Sequence, residues 1–201
     1  TREGGEGAGK STQVRALAAA LRARGLEVVE TREPGGSEGA EAIRSLLLTG
    51  GADRWSGRAE ALLFAAARAD HIEKTIRPAL ARGAWVLSDR FLDSSRAYQG
   101  QGALSDADIV TLHRIGSEGF LPDRTLFLTL PAGEAEARAR VRDGGASDRI
   151  GGRDQSFHRA VADAFARFAT DEAARFRAID ASGEPGAVTA RLIDALADLL
   201  P

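Results

Sequence analysis

The nine residues Gly4–Thr12, GGEGAGKST, constrain this chain more than any other stretch. Gly4, Gly9, Lys10 and Ser11 occupy the fixed places of the pattern G-x-x-x-x-G-K-[ST]. Glycines let successive backbone N–H groups turn toward one point, and a helix starting near Lys10 aims its positive dipole end at the same point. Such a cradle fits the phosphates of a nucleoside triphosphate. Gly4, Gly5, Glu6, Gly7, Ala8, Gly9, Lys10, Ser11 and Thr12 are therefore read as an ATP-binding loop. In that reading Lys10 reaches the β- and γ-phosphates, and the Ser11 hydroxyl ligates Mg²⁺. Lys10 and Lys74 are the only lysines among 201 residues, which argues against a chance match.

A loop of this kind normally follows a buried strand, yet only Thr1, Arg2 and Glu3 precede it. The expectation is that the first strand is missing from the given chain, so that the sheet lacks a central strand. After the loop, Val14, Leu17, Ala18 and Leu21 fall on one helical face, with Gly25 as the stop. Strand candidates then recur at 26–31, 84–89, 124–130 and 176–181. Helices are expected near 37–49, 58–82, 105–117, 133–142, 154–175 and 185–200. This alternation implies an α/β fold of the P-loop NTPase kind, a parallel sheet flanked by helices. No linker divides the chain, so residues 1–201 read as one domain. The irregular stretch 141–154, VRDGGASDRIGGRD, reads as a mobile charged flap.

Composition excludes several classes of function. A net charge of −2 gives no basic footprint for nucleic acid. Without Cys there is no disulfide framework, thiolate zinc site or thiol nucleophile. The longest apolar run, Ala61–Ala67, is too short for a bilayer, and TREGGEG has no apolar core for a signal peptide. A cytoplasmic location is expected.

Other motifs narrow the chemistry. TREPGG (31–36) follows the second strand directly, at the carboxyl end of the sheet where ligands bind in open α/β folds, with Arg32 and Glu33 at its mouth. Phe64 and Arg68 lie one turn apart on a helix, where a ring can stack on a base while a guanidinium donates to it. A core Phe64 with Arg68 in water is the plain alternative. Asp89 ends a buried strand, a costly place for a charge unless it serves a metal or a partner. Asp89 beside Mg²⁺ and Arg90 on an anionic substrate is the economical reading; a strand-end salt bridge is the other. His71, His113 and His158 form no cluster and read as structural.

Taken in order, GGEGAGKST, TREPGG, LLFAAARADH, SDRFLDSSRAYQGQG and an arginine-containing DRI segment resemble the thymidylate kinase family over essentially the whole chain. The resemblance implies a five-stranded parallel sheet, a homodimer, Mg²⁺, and phosphoryl transfer from ATP to dTMP. It implies Phe64 against thymine, Arg68 on the base and Arg90 on the acceptor phosphate. Glu33, Ser94, Ser95, Tyr98 and Gln99 then surround the nucleotide, Tyr98 blocking a ribose 2′-hydroxyl. Some members carry an arginine in the phosphate loop, where this chain has Glu6. The likeness is to the bacterial subgroup that draws its catalytic arginine from the flap. Arg142, Arg149 and Arg153 are candidates, Arg149 first, beside Lys10, Arg90 and Glu6 in the catalytic set. Gly151 stands where the family usually has an acidic residue, and Arg159 falls one place early.

An acceptor phosphate monoester, with second pKa near ~6, is largely ionised at neutral pH and needs no general base. Two rival readings fit the same motifs. A nucleoside kinase would need a carboxylate base, for which Glu6 or Glu33 could serve. A nucleotide-sensing dimerisation module would bind ATP without turnover.

Overall fold

The computed structural model describes residues 1–4, 10–51, 53–131 and 149–201, with Lys10 and Ser11 described by their backbone alone. Gly5–Gly9, the predicted helix 133–142, Arg142 and most of the flap lie outside the described residues.

Five parallel strands run in the order β2-β3-β1-β4-β5: β1 (Arg2–Gly4), β2 (Val28–Arg32), β3 (Trp85–Asp89), β4 (Thr125–Thr129) and β5 (Phe176–Asp180). The expectation of a sheet without its central strand is thereby corrected. Arg2 pairs with Asp89 on one side and Leu126 on the other, while Glu3 and Gly4 pair with Phe127 and Leu128. Three residues suffice because strands on both sides supply ladder partners. A doubly covered strand normally reads as an apolar run, and the charged Arg2-Glu3 pair hides that signature. Both side chains are buried, each with polar partners from β3 or the segment after it. Gly4 has φ 144, and a Cβ there would come within 2.8 Å of the Leu128 carbonyl oxygen, so a side chain at this strand end would push β1 off β4.

The helices follow their sequence signals closely. α1 (Lys10–Arg22) lays Val14, Leu17, Ala18 and Leu21 on the sheet, as its periodicity requires. Ser37 caps α2 (Glu38–Leu48) and Ser56 caps α3 (Gly57–His71), each side chain accepting an N–H of the first turn. The single helix expected over 58–82 is broken: a π-helical turn, Ile72–Ile76, separates α3 from α4 (Arg77–Ala81). α5 (Leu92–Gln99) is followed by α6 (Asp106–Ser117), which opens on a Ser105/Asp108 capping box. α7 (Gln155–Asp171) and α8 (Pro185–Asp194) end earlier than the sequence suggested.

The core has two faces. In β4, Leu126 and Leu128 point toward α1 and α8, and Phe127 points the other way onto α7, stacked on Phe165 with centroids 5.2 Å apart. Successive side chains on opposite faces, both buried, are what a sheet covered on both sides demands. The carboxyl ends of the strands are thereby left to carry the site.

Candidate active site

The larger cavity, about 400 Å³, lies at the amino ends of β3 and β4 among Trp85, Leu87 and Leu126, and holds none of the predicted site residues. A smaller one, about 110 Å³, opens at the carboxyl ends. Glu33, Phe64, Arg68, Arg90, Ser94, Ser95, Tyr98 and Gln99 all line it, so the substrate set proposed from sequence converges on one place. Arg44, Leu48 and Ile150 complete the wall without having been singled out. The chemistry selects the smaller cavity over the larger.

The floor is a buried ion-pair chain. Arg68, 2% exposed, donates from Nε to Glu33 Oε2 at 2.7 Å and from Nη2 to Ser95 Oγ at 2.6 Å. The alternative of Arg68 in water is excluded. Glu33 Oε1 meets His71 Nδ1 at 3.1 Å, and His71 Nε2 meets Thr31 Oγ1 at 2.7 Å. TREPGG closes over this chain: a Cβ on Gly36, whose φ is 88, would fall 2.4 Å from both Thr31 Oγ1 and His71 Nε2. Glu33, offered as a base for a hydroxyl acceptor, is committed to Arg68 and His71 instead.

Arg90, the residue after β3, also lines the cavity. Its Nη1 donates to Ser94 Oγ at 3.0 Å, and its guanidinium carbon lies 5.1 Å from the Tyr98 ring centroid. Asp89 pairs with Arg2 at 2.5 Å, the salt bridge that the sequence left open. Its side chain is still 22% exposed beside the strand that leads into the loop. A hard carboxylate oxygen in that position fits Mg²⁺, which takes one or two carboxylates and completes its shell with water and substrate phosphates. Among the described residues no cluster of three or more acidic or imidazole groups forms an all-protein metal cage.

Two carboxylates escaped the sequence reading. Glu60 accepts from Gln99 Nε2 at 3.0 Å, from Arg149 Nη2 at 2.5 Å and from Arg153 Nη2 at 2.8 and 2.9 Å. Burial opposes its ionisation, but Gln99, Arg149 and Arg153 outweigh that and hold the carboxyl below its ordinary value. A signal was present: Glu60, Phe64 and Arg68 recur every fourth residue along one stripe of α3. Arg149 also donates from Nε to the Leu47 carbonyl at 2.9 Å, so this arginine is buried at the foot of the flap.

Glu3 is the second. Burial pushes its carboxyl up to about 7, Asp93 adds to the rise, and Arg90, Ser94 and the Phe91 N–H oppose it. Between the ordinary value of 4.5 and about 7, the folded chain holds a proton that the unfolded chain has released. The associated stability is fully present below 4.5 and lost as pH rises through about 7. The wild type should therefore lose roughly 3 kcal/mol relative to Glu3→Gln between pH 4.5 and 8. Denaturant titrations of both proteins across that range check this; a difference flat with pH would contradict it.

A phosphate-loop sequence directly after the central strand of a 2-3-1-4-5 sheet, together with an arginine-lined cavity at the carboxyl strand ends, defines a P-loop nucleotide kinase. Comparison with known proteins gives the particular kind. The thymidylate kinase family model matches residues 3–192. The chain is 66% identical over 202 residues to a thymidylate kinase of Rhizorhabdus wittichii, covering 100% of this chain and 97% of that protein. It is 51% identical over 201 residues to one from Caulobacter vibrioides, covering 98% and 95%. The crystal structure of thymidylate kinase from Ehrlichia chaffeensis matches with a TM-score of 0.76 at 30% identity, over 98% of this chain and 96% of that one. The chain belongs to the thymidylate kinase family.

Proposed function

We propose that this chain transfers the γ-phosphoryl group of ATP to dTMP, giving ADP and dTDP for dTTP synthesis. The observation that carries the reading is the composition of the 110 Å³ cavity, whose lining brings Phe64, Arg68 and Gln99 together with Arg90 and Tyr98. A pyrimidine suits Phe64 and Gln99, and a phosphate monoester suits Arg90. Gln99 donates its Nε2 hydrogen to Glu60, which leaves its carbonyl oxygen as the group able to accept from a base N–H. Thymine carries such an N–H at N3, whereas the corresponding atom of cytosine is an acceptor.

The acceptor dianion needs no proton removed, so catalysis consists of holding two anions in line and neutralising the charge on the moving group. Arg90 holds the acceptor phosphate. Lys10 and the Gly4–Ser11 backbone hold the donor, with Thr12 closing the loop. Asp89 and the Ser11 hydroxyl would hold Mg²⁺, which would supply positive charge to offset that of the donor phosphates. Arg149 adds its guanidinium in the transition state. Glu6 completes the loop side, and Ser94, Ser95 and Glu33 set the arginines around the nucleotide. Homodimeric assembly, a cytoplasmic location and a single domain over 1–201 with a flap near 141–154 belong to the same reading. No helix among the described residues is long and apolar enough to cross a membrane.

A coupled ADP assay over dTMP, dUMP, dCMP, dGMP and thymidine tests the assignment. Preference for dTMP is expected; equal turnover of dCMP, or turnover of thymidine alone, would refute it. Phe64→Ala should weaken dTMP binding about 5- to 150-fold, since base stacking is worth roughly 1–3 kcal/mol. ATP binding should hardly change. Equal losses for both nucleotides would make Phe64, 9% exposed, a packing residue only.

A further inference from the structure

We propose that Glu3, in the strand that leads into the phosphate loop, is the positioning residue for Arg90, fixing both the backbone and the guanidinium of that arginine. The proposal rests on the reading of Arg90 as the arginine that holds the acceptor phosphate. Arg90 has φ 72, a left-handed conformation that a residue with a side chain keeps only when its surroundings impose it. Three hydrogen bonds impose it. The Arg90 N–H donates to the Arg2 carbonyl at 3.0 Å, and its own carbonyl accepts from Ser88 Oγ at 2.7 Å. The next N–H, that of Phe91, donates to Glu3 Oε1 at 2.7 Å.

The other oxygen of the same carboxylate reaches the far end of the same side chain. Ser94 Oγ donates to Glu3 Oε2 at 2.5 Å and accepts from Arg90 Nη1 at 3.0 Å. One buried carboxylate thus grips the peptide after Arg90 and, through one hydroxyl, its guanidinium. Glu3 is 0% exposed and does not line the cavity, so its effect on substrate passes through the two cavity residues it holds, Ser94 directly and Arg90 through Ser94 and the Phe91 N–H. The arrangement also ties the acceptor arginine to β1, the strand that carries the donor's phosphate loop. Both anions are thereby referred to one rigid element, which an in-line transfer requires.

The test is steady-state kinetics at pH 8 on Glu3→Gln, Ser94→Ala, Arg90→Lys and the Glu3→Gln/Arg90→Lys double variant. Glu3→Gln should raise the KM for dTMP about 10- to 100-fold, the weight of one charge-assisted hydrogen bond, while the KM for ATP stays within about twofold. The double variant should be no worse than Arg90→Lys alone, because Glu3 matters only when a guanidinium is there to hold. Equal losses for ATP and dTMP, or losses that add in full, would overturn the role of Glu3 and leave that of Arg90 standing. Normal use of dTMP by Arg90→Lys would instead remove the reading beneath it. Should Glu3→Gln fail to fold, Ser94→Ala alone and combined with Arg90→Lys carries the test: a dTMP-selective loss that disappears in the Arg90→Lys background supports the relay, and an unchanged KM for dTMP or a loss that adds in full overturns it.

Discussion

Lys10→Ala should abolish phosphoryl transfer while leaving thermal unfolding within about 2 °C of wild type. The backbone N–H groups of a phosphate loop are fixed donors, and a helix dipole is worth only about half a charge. The travelling γ-phosphoryl group needs a full positive charge that can follow it. Lys74, the other lysine, sits in the π-helical turn, paired with Asp70 at 2.5 Å. Losing one preorganised charge at the reacting centre costs roughly 10²–10³ in kcat, and a mobile cation between two phosphates belongs at the upper end or beyond. Stability should hold because Lys10 begins α1, where alanine is a better helix former than lysine. The measurement is kcat at saturating ATP beside a melting curve. A kcat within a few fold of wild type would show that another cation carries the donor phosphates.

Much of this fold was legible because sequence and tertiary demands agreed. Val14, Leu17, Ala18 and Leu21 repeat at helical spacing and do bury together against the sheet. TREPGG and the Asp89-Arg90 turn both sit at carboxyl strand ends, as their places after apolar runs implied. Three features were hidden, each for a physical reason. β1 is hidden because two of its buried residues are charged, and their side-chain partners come from β3, the turn after it and α5: Asp89 for Arg2, the Phe91 N–H and Ser94 for Glu3. The break at Ile72–Ile76 is hidden because IEKTI itself reads as ordinary helix; the one signal is Pro78 just beyond it, which lacks the N–H a continuous helix needs and sits in the first turn of α4. Glu60 looks like a solvated helical charge until Gln99, Arg149 and Arg153 arrive from segments 39 to 93 residues away. Local pattern reports periodicity, and says nothing about partners so far along the chain.

Arg149→Ala should lower kcat about 10³-fold with little change in KM for either nucleotide. An arginine that meets the phosphoryl group only during transfer contributes to the transition state and not to ground-state binding, which is the signature of an unchanged KM. The size follows arginine fingers in related chemistry. Here Arg149 rests on Glu60 and the Leu47 carbonyl, so reaching the phosphates means leaving a buried partner. That exchange is cheaper than it looks, because Arg153 already bonds both Glu60 oxygens and Gln99 bonds one of them. Glu60 keeps partners when Arg149 departs, and by the same argument Arg149→Ala should change the melting temperature by only a few degrees. Arg149→Lys should recover little, since a point charge does not span two phosphate oxygens as a planar fork does. Arg153→Ala is the control. It removes the standing partner of Glu60 and a guanidinium lying 4.6 Å from the Phe157 ring centroid, so its cost should fall on stability rather than on kcat. If the two variants exchange these signatures, Arg153 is the catalytic arginine and Arg149 the clasp. If kcat survives in both, and in Arg142→Ala as well, the flap only shields the phosphates from water.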